Sequence, residues 1–152
     1  MTFESYKQAL AKEFPAAIQL IVQEKQGAYE AAARLKAPIV QYSSEWGFDY
    51  PAQAWNAAVP KSDTLTLGAW SNGSILIEEW QMDVTCQALH IAPQSAHIEI
   101  RNSGRIPLPF TDTGYRSEFV PLPSFAGGKT VEDFIRHKLK SAMSKNRQLE
   151  LI

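Results

Sequence analysis

Apolar residues recur at three- and four-residue spacing from the start of the chain. Phe3, Tyr6, Leu10 and Phe14 form one stripe, as on an amphipathic helix. Pro15 cannot donate to a helix interior but suits a first turn, so the pattern predicts a break near Phe14 and a new helix from Pro15. Ile18, Ile21, Val22, Tyr29, Ala32 and Leu35 would form its buried face, with Gly27 a weak point and Pro38 beyond its end. Residues 39–60 lose this period. They hold Tyr42, Trp46, Phe48, Tyr50 and Trp55, which reads either as an irregular segment plugged into the core by its rings or as an exposed partner patch.

Alternation of period two then takes over. Thr64 to Leu67 alternates, Asn72-Gly73 predicts a hairpin turn, and Ser74 to Ile77 opens the partner strand. Val84 to Ile91 and Ala96 to Arg101 supply two more strands around a turn at Pro93. In the latter, Ala96, Ile98 and Ile100 face one side and His97, Glu99 and Arg101 the other, which predicts a sheet with one covered and one wet face. Ile106 to Phe110 and Val120 to Phe125 carry four prolines, so both are edge-like or polyproline-like arms around a polar tip, Thr111 to Glu118. Thr130 and Asp133 announce a last helix, with Val131, Phe134, Ile135, Leu139, Ala142 and Met143 as its stripe.

The elements add up to a single α+β domain over residues 1–152: an antiparallel β-meander of four to five strands flanked by N-terminal helices and one C-terminal helix. Its parts are helical (1–36), aromatic-rich and irregular (37–63), strand-rich with a proline-flanked loop (64–125) and helical again (129–146).

Composition narrows the function. A net charge of -1 excludes a histone-like binder and an acidic tail protein, and the single cysteine, Cys86, excludes a disulfide framework. The total conceals an uneven placement: residues 37–100 carry one positive and seven negative side chains, and residues 101–152 nine positive and five negative. Such asymmetry marks a partner surface of opposite sign, or two segments that complement each other within the fold. No secretory signal or membrane-spanning run is present, so the expected location is the cytoplasm, away from membranes.

Catalytic motifs are weak. Gly127-Gly128-Lys129-Thr130 resembles the end of a phosphate-binding loop, but Pro123 stands where its first glycine belongs. Cys86 and His90, on one strand, would lie about 13 Å apart and make poor joint ligands. The sequence therefore points to no catalytic residue, no metal and no cofactor. It favours a protein-binding surface made of Asp112, Tyr115, Arg116 and Glu118 in the projecting loop, with Trp46 and Trp55 from the aromatic segment. The alternative is nucleic-acid binding through Lys129, Arg136, Lys138, Lys140, Lys145 and Arg147 on the last helix, and a small enzyme is third. Oligomeric state is not legible.

Pro109 to Phe119 (Pro-Phe-Thr-Asp-Thr-Gly-Tyr-Arg-Ser-Glu-Phe) resembles a phrase in uncharacterised small accessory proteins of bacterial plasmids and other mobile elements. The resemblance implies an accessory role in transfer, maintenance or evasion of host defence, and the acidic middle of the chain would suit a decoy for a nucleic-acid-binding partner, as an inhibitor of a defence complex would require. It transfers no catalytic residue.

Overall fold

The computed structural model describes residues 1–90 and 93–150. Helix α1 runs over Phe3–Val22, α2 over Ala28–Tyr42 and α3 over Pro51–Ala58. Five strands follow: β1 Lys61–Ser62, β2 Trp70–Ile77, β3 Trp80–Ala88, β4 Ser95–Arg101 and β5 Tyr115–Pro121. A 3-10 turn at Leu122–Phe125 leads into helix α4, Val131–Glu150. The sheet order is β1-β2-β3-β4-β5, with β1 parallel to β2 and every other pair antiparallel. This is an α+β fold, as the periodicities predict.

The expected helix break at Pro15 is absent: α1 passes straight through it. Losing one backbone bond costs about 3 kcal/mol. The apolar stripe is buried on both sides of the proline, from Tyr6, Leu10 and Phe14 to Ile18 and Ile21, and that burial outweighs the loss. Pro38 likewise lies inside α2, while Gly27, at φ +80°, stands before its first residue. The segment expected to be irregular is largely helical, for Pro51 begins α3 at the position where proline is favoured.

The sheet departs from expectation in its first hairpin. Asn72 and Gly73 lie inside β2, paired with Thr85 and Val84, and the turn is made by Glu78 and Glu79, with Glu78 at φ +55°. The glycine serves packing instead. A Cβ on Gly73 would lie 3.1 Å from Leu65 Cγ, so its absence leaves room for the chain that crosses β2 there. Residues 64–67 accordingly form no strand. The Ser71 hydroxyl accepts from Thr66 N–H at 3.0 Å and donates to its carbonyl at 2.8 Å, replacing a ladder.

One sheet face is covered. Met82, Val84, Cys86 and Ala88 of β3, Ala96, Ile98 and Ile100 of β4, and Val120 of β5 are buried in a single core with α1, α3 and α4. The opposite face carries Asn72, Ser74, Asp83, Thr85, His97, Glu99 and Arg101. Among the described residues, no helix is long and apolar enough to cross a membrane.

Candidate partner-binding groove

The polar tip between the proline arms is much shorter than expected. Leu108 and Thr111 pair across a tight turn, and Tyr115, Arg116 and Glu118 belong to edge strand β5 rather than to a loop. Gly114 makes this possible. It sits at φ +72°, and a Cβ there would come within 2.6 Å of the Ile106 carbonyl oxygen. The Thr111 and Thr113 hydroxyls then donate to the Tyr115 carbonyl at 2.9 and 3.1 Å, fixing where the strand starts.

Alternation along β5 separates its side chains. Arg116, Glu118 and Val120 pair with Ile100, Ile98 and Ala96 and point to the helix side; Tyr115 and Phe119 pair with Arg101 and His97 on the open face. Beneath β5 lies α4. Its N-terminus is capped reciprocally, Thr130 N–H to the Asp133 carboxylate at 2.9 Å and Asp133 N–H to the Thr130 hydroxyl at 3.1 Å. Val131, Ile135 and Leu139 bury its inner face.

Between the 109–112 turn, β5 and α4 a groove of about 600 Å³ opens. Pro109, Phe110, Phe134 and Ala142 give it apolar walls, and Arg116, Lys138, Lys145 and Asp112 give it charge. Glu118 ties the two elements together: one oxygen, Oε1, accepts from both Arg116, at 2.9 Å, and Lys138. Burial pulls the Glu118 carboxyl up, but hydrogen bonds and charge from Lys138 and Arg116 outweigh it and hold the group below the usual carboxylate range. The Lys138 ammonium also lies over the rings of Phe110 and Phe134. Counting Arg116, Lys138 and Lys145 against Glu118 and Asp112, the groove carries a net charge of +1. The arrangement is suited to holding an anionic group against an apolar wall.

The structure thus joins residues from two separate sequence-level candidates, Asp112, Arg116 and Glu118 with Lys138 and Lys145. Others stand apart. Trp55 is buried, and its indole N–H donates to the Leu89 carbonyl at 3.2 Å, so it is a core residue rather than a surface one. Trp46 is half-buried, stacked on Tyr6 and Tyr42 in the helical layer. Tyr115 faces the open side beneath Arg101, 5.0 Å from ring centre to guanidinium. Arg136 pairs with Glu132 along the helix, Lys140 is exposed, and Lys129 lies before α4, away from the groove. The Arg147 side chain lies outside the described residues, as does Ile91. Phe110, Phe134, His137 and Ser141 also line the groove; the helical stripe had placed Phe134 in the core, and only the packing of α4 against β5 shows its second role.

Other chemistry finds no assembly. His90 lies past the end of β3, against Trp70 and His97, while Cys86 faces the core with its thiol pushed up to about 12 by burial. His97 and Glu118 point to opposite sheet faces. Among the described residues no three His, Cys, Asp or Glu side chains are placed to hold a metal ion. Gly127 and Gly128 follow a 3-10 turn rather than a strand, so the phosphate-loop likeness ends at four residues.

Neither the curated proteins nor the solved structures include a match to the chain. Residues 72–148, half of the chain, match the family model of the KlcB third domain. That span runs from within β2 to within α4 and contains the whole groove, including residues 109–119. The chain belongs to the KlcB third domain family.

Proposed function

We propose that this chain is a non-catalytic accessory module, carried by a plasmid or other mobile element, that binds a protein partner through the groove under β5. The observation that carries the reading is the pairing of apolar walls with surplus cationic charge. Two cations share the Glu118 oxygen, while Lys145 stands at the rim with no ion-pair partner among the described residues. An acidic, partly apolar protein segment satisfies both features, and occupying such a segment is how a small inhibitor of a host defence complex would act. Cytoplasmic action is in keeping with the reduced, buried Cys86.

The experiment is site-specific photocrosslinking in cells. A photoreactive residue at Ser141 in the groove should trap a discrete partner that the same residue at Ser74 on the open sheet face does not. Arg116→Ala and Lys145→Ala should each weaken the trapped band. Identical products from both positions would refute the groove. Nucleic-acid binding is supported less, since Arg136 and Lys138 are engaged by Glu132 and Glu118. Salt-sensitive DNA or RNA binding that Arg136→Glu/Lys140→Glu abolishes would reverse that ranking.

A further inference from the structure

Strand β5 is the long edge of the sheet; the other edge, β1, has two residues. Which of its backbone groups face outward follows from the bonds at its ends. Asn102 N–H donates to the Gly114 carbonyl and Leu122 N–H to the Gln94 carbonyl, so even-numbered residues bond to β4. Odd-numbered residues therefore point their N–H and C=O away from the sheet. At Tyr115 both are engaged by threonine hydroxyls. For Ser117 and Phe119, among the described residues, no loop or side chain supplies a partner, and both are exposed.

This free edge meets the groove at Arg116, the residue of β5 that lines it. We infer that the partner segment docks as an added antiparallel strand on Ser117 and Phe119, with one acidic side chain entering the groove at Arg116 and apolar neighbours lying on the open face beside Tyr115 and Phe119. The inference rests on the groove reading and specifies its ligand. Two separate observations carry it. Main-chain donors and acceptors at Ser117 and Phe119 are the requirement for strand addition. Charge supplies the register: a residue opposite Arg116 shares its face, and the groove beyond it has a net positive charge. The residues opposite Ser117 and Phe119 turn to the other face, where Tyr115 is 41% and Phe119 49% exposed. The expected ligand pattern is apolar, acidic, apolar.

The test uses a fluorescein-labelled pentapeptide, Val-Thr-Val-Glu-Val, titrated against the full chain by anisotropy. It should bind, and the Gln-for-Glu version should bind roughly tenfold more weakly. Methylating the valine nitrogens should abolish binding, as should Ser117→Pro in a variant whose circular dichroism shows a folded chain. Amide exchange provides a second readout. The peptide should slow the Ser117 and Phe119 amides and leave Arg116 and Glu118, already bonded to β4, unchanged. If the methylated peptide binds as tightly as the parent, the added strand is wrong and the groove stands. If neither acidic peptide binds at millimolar concentration, both fall.

Discussion

Replacing Glu118 with Gln should lower stability at neutral pH by about 1–2 kcal/mol, almost all of it through Lys138. A hydrogen bond to a charged group contributes roughly 1.5–3 kcal/mol when buried. The Glu118 and Lys138 side chains are each 20% exposed, which places them near the low end of that range. The Arg116 partner is 46% exposed and adds little after solvent screening. Glutamine keeps the shape and one acceptor, so the change tests charge rather than packing. For a chain of this size the expected fall in Tm is about 3–6 °C. The pH dependence is the sharper test. Because the folded carboxyl titrates below its ordinary value, its contribution is complete above the unfolded pKa and is lost as pH falls through the folded one. Urea unfolding of both proteins at about pH 7 and about pH 2 should therefore show a gap that closes on acidification. A gap that is the same at both pH values, or absent at pH 7, would refute the assignment of Glu118 as the charged link between β5 and α4.

Gly114→Ala should cost about 2 kcal/mol or more, measured by chemical denaturation, because φ +72° and a contact of 2.6 Å with the Ile106 oxygen act together. Phe14→Ala should cost about 3–5 kcal/mol in the same assay, since the ring is 0% exposed at the centre of the core. The Cys86 thiol, buried and held protonated, should resist an aromatic disulfide reagent in the native protein and react only as the chain unfolds. Rapid native labelling would contradict its placement.

Where periodicity and capping act locally, the chain could be read directly. The Thr130 and Asp133 cap, the α1 stripe and the alternation from Ala96 to Arg101 are all present where they were expected. Where a residue serves a distant neighbour, the local signal misled. Gly73 looks like half of a turn because Asn-Gly usually is one, yet it is there to admit Leu65; Glu78 and Glu79 make the turn with no turn preference of their own. Pro15 shows the same conflict, with burial along α1 overriding a local breaker. Both halves of the groove could be named from residue type alone. That Arg116 and Lys138 share one carboxylate depends on α4 packing beneath β5, which no spacing in the chain expresses.

The meander has a consequence for the route by which the chain folds. From β2 to β5 each strand pairs with its neighbour in sequence, so the sheet can assemble by closing short loops. Helix α1 instead packs on the turn at Leu122–Phe125, a closure on the order of a hundred residues. Its docking should come late. Until then the core that holds Met82, Val84 and Cys86 would lack the cover α1 gives it, the state most exposed to association with other chains. At the free edge of that sheet stand Arg116, Glu118 and Pro121, two charges and a residue with no N–H, which discourage unselective strand pairing while α1 is still undocked.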